Sequence, residues 1–486
     1  MAGTLKRRAF LRTAATGCAL GLAAPGLLAA TRPAKPRGLI SPGCRRSKVR
    51  VAKLYMGRPG AHWPTPKLDL KVEVKAYEAK LARMHKELSD VDFVVNELVS
   101  SPEQMQGLKG KLAEVDGILA IHLSMGIRSI LPELLSIGRP TVLFAAPYSG
   151  HEWTGFGALQ KRPEGAMLEC ILTSEYDQLA VAVRPFRAIH HLREAKILNV
   201  TGRQLPASYA ASVREKFGTE IKRIDREQVL EAYNAVPDAE AQEEASRWIA
   251  RARKVVEPSK EEMVKSCKLA LAFERLLDAE DATVITVDCY GTMWRQLPAY
   301  PCIGFTRLND MGLGGICESD LQSAMTHILF QGLSGRPGFI SDPTLDVSTN
   351  SIILAHCLGT TRMDGPDGKA APYKLRCIME RQEGAVAQVR MRLGQRVTQA
   401  RLIGADLLPY FTGTIVGAPD VDRGCRTKIT VTVDGDAERL WQNWGHGLHR
   451  VTCYGDLTQD LRRFCRFKEI NLVDEASDLA PETPTA

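Results

Sequence analysis

Residues 312–363 mark the point where the organisation of the chain changes, and they spell GLGGICESDLQSAMTHILFQGLSGRPGFISDPTLDVSTNSIILAHCLGTTRM. In this stretch Glu318 follows a glycine-rich turn and is predicted to open a helix. A second carboxylate, Asp342, ends a short apolar run, and His356 ends another. Three side chains that can bind a cation or carry protons therefore stand at the ends of separate predicted elements.

Upstream of this stretch, short apolar runs alternate with helical segments. The predicted strands fall at residues 49–55, 92–95, 116–121, 140–145, 195–200, 220–224 and 282–288. Alternation of this kind predicts parallel pairing with helices on both faces of the sheet. Ligands of such sheets bind beyond the carboxyl ends of the strands.

Downstream, the pattern changes to short β-prone runs that alternate apolar with polar residues and end in turn residues. We therefore predict an α/β protein in which two doubly wound, Rossmann-like domains precede a β-rich C-terminal domain. The predicted boundaries are a signal segment at 1–31, a linker at 32–47, α/β domains at 48–190 and 191–344, the β-rich domain at 345–475, and a disordered tail at 476–486.

The N-terminus has the features of an export signal. Lys6, Arg7 and Arg8 precede a moderately apolar run at 14–30 that contains no acidic residue. A paired arginine before a weakly hydrophobic core resembles a twin-arginine signal, which exports folded proteins to the periplasm. The run is too short and too rich in glycine for a stable membrane span. The alternative is an uncleaved basic tail on a cytoplasmic protein.

Composition excludes several classes of function. Part of the formal charge of +8 lies at the N-terminus, and no later basic stripe is interleaved with aromatic residues, so we expect no nucleic-acid partner. Neither a GxGxxG fingerprint nor a Walker motif is present, which leaves nucleotide cofactors unsupported. The twelve cysteines lack CxxC spacings and are expected to act as small core residues.

A metal centre is the main functional hypothesis. Glu318, Asp342 and His356, joined by the distant His449, offer the carboxylate and imidazole ligands that suit Mn²⁺ and also Co²⁺ or Zn²⁺. Each residue also has a structural alternative. Glu318 would stabilise a helix through its dipole, Asp342 would serve the turn before Pro343, and His356 would be a hydrogen-bonded core residue.

The same residues resemble those of the L-arabinose isomerase and L-fucose isomerase superfamily. The similar segments are RQLP at 295–298, GLGGICESDL at 312–321, FISD at 339–342, LAHCL at 354–358 and GLHRVT at 447–452. The resemblance implies that Glu318 and Asp342 act both as metal ligands and as the acid/base pair. It further implies His356 and His449 as ligands, a manganese cofactor, and a homo-oligomer with sites between subunits. His446 is close enough in the sequence to compete for the place of His449, which is preferred because it precedes a β-prone Val-Thr run.

Substrate contacts are predicted at three other positions. Gln296 lies in the segment that resembles the Gln-Leu-Pro of arabinose isomerases, and His122 and Tyr148 follow strands of the first predicted domain. The leading hypothesis is an aldose–ketose isomerase acting on a small sugar. The alternatives are an exported carbohydrate-binding protein of the same fold without catalysis, and a metal-dependent sugar epimerase or lyase.

Overall fold

A computed structural model describes residues 38–477 of the chain. The predicted signal segment, residues 32–37 of the predicted linker and residues 478–486 of the predicted tail lie outside the described residues, so export by a twin-arginine signal stays a prediction. No helix between residues 38 and 477 is long and apolar enough to cross a membrane. Every cysteine in this range is free, and all except Cys170 and Cys425 are buried.

The first part of the described chain alternates strands with helices, as predicted. Its elements are β1 (Val49–Met56), α1 (Leu70–Arg83), β2 (Val91–Val99), α2 (Pro102–Leu112), β3 (Gly117–His122), α3 (Leu131–Leu135), β4 (Thr141–Ala145), α4 (Phe156–Leu159), β5 (Leu168–Leu172), α5 (Gln178–Val181) and α6 (Arg184–Glu194). The strands form one parallel sheet in the order β2-β1-β3-β4-β5. Alternate residues of β1 enter two different apolar clusters: Val51 joins one, and Leu54 joins the other. Both faces of this parallel sheet are therefore covered, which agrees with the predicted α/β class.

A second parallel sheet follows. Its region contains β6 (Lys196–Val200), α7 (Ala207–Phe217), β7 (Glu220–Ile224), α8 (Arg226–Asn234), α9 (Asp238–Arg251), β8 (Lys254–Val255), α10 (Lys260–Ala279), β9 (Val284–Val287), α11 (Cys302–Asp310), β10 (Gly314–Cys317) and α12 (Leu321–Ser334). The strand order is β10-β9-β6-β7. The glycine-rich segment predicted as a turn before Glu318 is thus the edge strand β10. A Cβ on Gly315 would lie 2.4 Å from the Cα of Phe305, so only glycine lets this strand pack against α11.

The remaining strands confirm the predicted change to antiparallel structure. They are β11 (Phe339–Asp346), β12 (Ser351–His356), β13 (Tyr373–Arg376), β14 (Val386–Val389), β15 (Arg396–Ala400), β16 (Leu407–Gly417), β17 (Thr427–Val433), β18 (Arg450–Tyr454) and β19 (Asn471–Asp474), with helices α13 (Ala437–Asn443) and α14 (Thr458–Lys468). The order β15-β18-β11-β12-β17-β16 closes because β15 also pairs with β16. The result is a closed antiparallel barrel to which β19 adds a parallel strand.

The barrel begins earlier than residue 345, because Asp342 already lies within β11. Its interior is filled by Phe339, Ile352, Phe411 and Val431, all fully buried. A different cluster joins the outside of the barrel to the second sheet through α12, whose inner positions are almost entirely buried. This packing brings the carboxyl end of β10 next to the barrel strands that carry Asp342 and His356.

Candidate metal centre

Glu318 is placed by a strained turn rather than by a helix. Glu318 and Ser319, which directly follow β10, adopt left-handed backbone conformations with φ of 64° and 57°. Two hydrogen bonds of Ser319 stabilise the turn. Its hydroxyl donates to Asn199 Oδ1 at 2.5 Å, and its N–H donates to the carbonyl of Val287 at 3.0 Å. The prediction that Glu318 opens the helix was wrong: α12 begins at Leu321, and Asp320 is its N-cap. Non-glycine residues in this conformation persist where surrounding contacts enforce them, often at functional sites.

Asp342 and His449 are brought together by strand pairing. Strand β11 pairs antiparallel with β18, and Ser341 is opposite Arg450 in that register. Continuing the ladder by one residue places Asp342 opposite His449. On its other side β11 pairs with β12, whose last residue is His356. The barrel register therefore gathers three of the four predicted ligands at one rim.

The four predicted ligands form one cluster. His449 Nε2 lies 3.1 Å from Asp342 Oδ1 and 3.7 Å from Glu318 Oε2. His356 Nε2 lies 3.7 Å from Glu318 Oε1. The two imidazole rings are 5.6 Å apart between centroids and inclined at 68°. One ligand atom each from Glu318, His356 and His449 lies within 4.8 Å of the others, a spacing that can hold a metal ion.

Several buried polar atoms in the cluster have no hydrogen-bond partner among residues 38–477. They are Asp342 Oδ1, His449 Nε2 and both ring nitrogens of His356. The 3.1 Å approach of Asp342 to His449 is therefore close in distance but not aligned as a hydrogen bond. Leaving a buried polar atom unpaired costs about 1–3 kcal/mol, so this many at one point indicates a site that is completed by a bound ion, a ligand or ordered water. The finding also argues against the alternative that His356 is a hydrogen-bonded core histidine.

A divalent cation fits this donor set. Two carboxylates and two imidazoles match the ligand preference of Mn²⁺, Co²⁺ or Zn²⁺. His356 and His449 are buried, whereas the side chains of Glu318 and Asp342 keep 32% and 30% of their surface exposed. The histidines thus form the buried side of the site, and the carboxylates form the side that is partly exposed to solvent.

Behind His449 lies a carboxylate that orients its ring. His449 Nδ1 and Asp320 Oδ2 are 2.8 Å apart, and Arg401 donates to both oxygens of Asp320 at 2.6 and 3.0 Å. Metal-binding histidines commonly donate their second ring N–H to such a carboxylate, which fixes the tautomer. The same contact indicates that Nε2 of His449 is the atom directed at Glu318 and Asp342.

The electrostatics of His449 follow from these neighbours. Burial by itself lowers the pKa of His449, but the hydrogen bond with Asp320 and the nearby charges of the Asp320 and Asp342 carboxylates raise it to about 9. Burial likewise opposes ionisation of Asp320, yet His449 and Arg401 hold the pKa of that carboxyl well below its ordinary value. A proton and a cation therefore compete for Nε2 of His449.

The predicted substrate residues lie apart from this cluster. His122, at the end of β3, is fully buried and approaches the Ser124 carbonyl at 2.9 Å and the Ser149 hydroxyl at 3.2 Å. Tyr148 is 76% exposed, and its ring stacks at 6.5 Å from that of Trp63. These contacts lie at the carboxyl end of the first sheet. Any role of His122 or Tyr148 in substrate binding stays a prediction.

Gln296 lies in an exposed turn beyond β9. Its backbone carbonyl accepts a hydrogen bond from Arg226 Nε at 2.8 Å. Its proposed contact with substrate also stays a prediction. His446, the competitor for the place of His449, is half-buried and is not among the residues gathered at the cluster.

Asp320 and Arg401 were given no role by the sequence argument. The available signal for Asp320 was that of a helix N-cap, because an aspartate directly before an apolar helix commonly caps it. In the structure the N–H of Ser323 donates to Asp320 Oδ1. Nothing local to Arg401 indicated its role, because its partner lies 81 positions away in the chain.

A second set of possible ligands, Cys44, His190 and Glu194, is better explained as structural. His190 Nδ1 lies 2.8 Å from Asp116 and Nε2 lies 3.0 Å from the carbonyl of Ser47. Both of these partners are acceptors, and a ring that donates to them from both nitrogens has no lone pair for a cation. The guanidinium of Arg193 also lies 2.8 Å from Nδ1, which places a positive charge beside the ring already. Burial lowers the pKa of His190, but Asp116 and the other hydrogen-bond partners raise it to about 11, which agrees with a buried imidazolium.

No family model matches the chain. It is similar to the sulfoquinovose isomerase of Alkalicoccus urumqiensis, with 20% identity over 312 residues that cover 60% of this chain and 67% of that protein. It is also similar to the sulfoquinovose isomerase of Clostridium sp. (strain MSTE9), with 22% identity over 256 residues, which span 50% of this chain and 56% of that relative. These relationships support a distant link to sugar isomerases, whereas the finer resemblance to the fucose and arabinose types stays a prediction.

Proposed function

We propose that the protein is a metal-dependent aldose–ketose isomerase that moves a proton between adjacent carbons of an open-chain sugar. The observation that carries this proposal is the convergence of Glu318, Asp342, His356 and His449 with unpartnered buried ligand atoms. The distant similarity to two sugar isomerases supports the same class of reaction.

Glu318, Asp342, His356 and His449 would hold the cation, with Mn²⁺ the preferred ion. When bound, such a cation polarises a carbonyl and the neighbouring hydroxyl and so lowers the barrier to proton removal. The chain itself supplies the proton carriers. Glu318 and Asp342 stand on different elements, each partly exposed, so one can take the proton from the substrate while the other returns it to the adjacent carbon.

His449 and its neighbours would hold this arrangement in place. Asp320 orients the His449 ring, and Arg401 holds Asp320 through two hydrogen bonds. The strained turn at Glu318 fixes the direction of its carboxylate. A preorganised constellation of this kind requires little rearrangement when the substrate arrives.

For the substrate we propose a sugar that carries an anionic group, as sulfoquinovose does. The Arg381 guanidinium lies 4.3 Å from the ring centre of Trp294 and 4.8 Å from that of Tyr290. Its Nε is buried and has no hydrogen-bond partner in the part of the chain that the structure describes. Tyr290 Oη in turn is 3.7 Å from the sulfur of Cys357, the residue after His356. Arg381 is thus a cation close to the centre with a donor free for a sulfonate or a similar group.

The decisive experiment combines metal analysis with a substrate screen in D₂O. Metal-stripped full-length protein is reconstituted with Mn²⁺, Co²⁺ or Zn²⁺ and incubated with sulfoquinovose and neutral aldoses, and the products are examined by NMR for conversion and deuterium uptake. We expect one bound ion at the cluster and conversion of an anionic aldose. Glu318→Gln should lower turnover by about 10²–10⁴-fold, since it removes a general acid/base group.

His446→Gln is the matched control, because it changes a nearby histidine outside the cluster and should leave turnover intact. Absence of stoichiometric metal after reconstitution, or full turnover by Glu318→Gln, would refute the isomerase proposal. Sugar binding that is insensitive to chelator and unaccompanied by conversion would favour the non-catalytic binding protein. Conversion to an epimer or a cleaved product would favour the epimerase or lyase alternative.

We also propose that the protein is exported to the periplasm and assembles as a homo-oligomer. Export is supported by the paired Arg7 and Arg8 before an apolar run. Assembly is supported by the resemblance to isomerases whose sites lie between subunits. Cell fractionation of the wild type and of an Arg7→Lys, Arg8→Lys double variant tests export, and sedimentation of the purified protein tests assembly. Equal recovery of both forms in the cytoplasm would support the uncleaved tail instead.

A further inference from the structure

Next to the proposed isomerase centre lies a second cluster of ligand atoms that the isomerase proposal does not use. It consists of Cys357, Cys425 and Glu380, which offer three ligand atoms within 4.8 Å of one another. Cys357 directly follows His356 at the end of β12, and Cys425 lies two residues before β17. Glu380 comes from the loop between β13 and β14. Three separate segments of the barrel thus converge on one point.

The distances in this cluster match a cation site. The two sulfur atoms are 4.0 Å apart. Glu380 Oε1 is 3.2 Å from the sulfur of Cys425, and Oε2 is 3.8 Å from that of Cys357. Two thiolate sulfurs that each bind a tetrahedral Zn²⁺ at about 2.3 Å are about 3.8 Å apart. A carboxylate oxygen that binds the same ion at about 2.0 Å is about 3.5 Å from each sulfur. The side chains therefore already have nearly the spacing that a tetrahedral ion requires.

A disulfide explains the cluster less well. Its sulfur atoms would have to approach from 4.0 Å to about 2.05 Å, and the carboxylate of Glu380 would have no part in it. As thiols, Cys357 and Cys425 both donate to the carboxylate of Glu380. When the two thiols lose their protons, the thiolates and the carboxylate form an anionic pocket that a cation would neutralise.

We propose that Cys357, Cys425 and Glu380 form a second cation site, selective for a thiophilic divalent ion such as Zn²⁺. Thiolate ligands select zinc and similar ions, whereas the carboxylate and imidazole donors of the first centre also accept Mn²⁺. Cys357 is 3% exposed, but Cys425 is only half-buried and Glu380 is exposed, so the site can exchange its ion with solvent.

Asp342 connects the two sites. Its Oδ1 faces His449 at 3.1 Å, and its Oδ2 lies 3.8 Å from the sulfur of Cys425. Oδ2 is thus placed to be the fourth ligand of the second ion. If the proposed isomerase function holds, occupation of the second site draws Asp342 away from proton transfer, and excess Zn²⁺ lowers turnover of the Mn²⁺-loaded protein.

Cadmium is the probe for this site, because bonds between Cd²⁺ and thiolates absorb in the ultraviolet. Reduced full-length protein, first loaded with Mn²⁺, is titrated with Cd²⁺. We expect a charge-transfer band that saturates at one equivalent. Cys425→Ser should weaken binding at this site by at least about 100-fold, because even outer partners of metal ligands contribute 10–100-fold. Cys170→Ser changes the other half-buried cysteine and is the matched control, with an unchanged titration.

Two further variants test the carboxylate ligand and separate the second site from the isomerase centre. Glu380→Gln alters an exposed side chain with little risk to folding, and it should weaken Cd²⁺ binding at least tenfold while keeping both thiols. His449→Gln should abolish Mn²⁺ binding but retain the Cd²⁺ band, so the second site can be confirmed even if the isomerase proposal fails. A missing band in the reduced protein, or a band unaffected by Cys425→Ser, would overturn the second site. A disulfide between Cys357 and Cys425 in protein isolated without reductant, found by mass spectrometry, would also overturn it.

Discussion

Asp320→Asn tests whether the proposed centre depends on the carboxylate behind His449. Asp320 accepts two hydrogen bonds from Arg401 and is 2.8 Å from His449 Nδ1. The side chains of Asp320 and Arg401 are each only 9% exposed. Asparagine keeps the shape and the N-cap acceptor but removes the charge, so a buried guanidinium remains without its counter-ion.

The expected effects are on stability and on metal affinity. Removing one partner of a buried ion pair costs about 3–5 kcal/mol of unfolding free energy. Loss of the carboxylate that orients a metal-binding histidine lowers metal affinity about 10–100-fold. Urea unfolding of the metal-free protein measures the first effect, and competition with a chelator of known affinity measures the second.

A double variant separates the two effects. Asp320→Asn combined with Arg401→Met removes both charges, so much of the lost stability should return, since replacing a whole buried pair by apolar groups is often neutral. Metal affinity should stay low, because His449 still lacks its carboxylate partner. Asp320 would have neither role if the unfolding free energy of Asp320→Asn stayed within about 1 kcal/mol of the wild-type value and its affinity for Mn²⁺ stayed within about twofold.

The remaining predictions concern residues around the same rim. His449→Gln should abolish stoichiometric Mn²⁺ binding whereas His446→Gln should not, as metal analysis after reconstitution will show; equal losses in both would contradict the assignment. Because the pKa of His449 is raised to about 9 from 6.5, its stabilising contribution in the metal-free protein is complete below pH 6.5 and is lost as the pH rises through about 9. Mn²⁺ affinity should rise over the same range, by about tenfold per pH unit, and a flat profile by calorimetry would exclude this competition. Glu475→Gln should cost about 3–5 kcal/mol in urea unfolding, since it leaves the fully buried Arg450 without its 2.5 Å ion pair. Arg381→Met should raise the KM for an anionic sugar at least tenfold and leave kcat for a neutral sugar unchanged; equal effects on both sugars would count against an anion-binding role.

Much of the fold was predictable because its signals are local. Apolar runs buried on both faces, such as β1 and β3, require helices on each side and so indicate a parallel sheet. Strand β16 is the longest strand of the barrel but is poorly marked in the sequence, because Pro409, Gly413 and Gly417 interrupt its pattern. Gly413 is required there, since a Cβ would lie 2.4 Å from the carbonyl of Thr432 on the neighbouring strand.

The candidate site was predictable only in part, for a related physical reason. Carboxylates and histidines at element ends are unusual enough to be noticed in a sequence, and Glu318, Asp342, His356 and His449 were found in that way. Arg401 could not be found, because a buried arginine looks in sequence like an exposed one until its partner is located. The contacts of the His122 ring with Ser124 and Ser149 could not be found from the sequence either, because they depend on how the loops after β3 and β4 fold.

Local patterns in the sequence are enough to indicate most of the strands and helices, the change from parallel to antiparallel structure, and the side chains with the chemistry to bind a cation. These properties follow from periodicity and residue type, which act over a few residues. Only the tertiary structure decided that the barrel closes between β15 and β16 and that its register places Asp342 beside His449. It also decided that Cys357, Cys425 and Glu380 meet. Such contacts join residues far apart in the chain, and packing, rather than any local preference, brings them together.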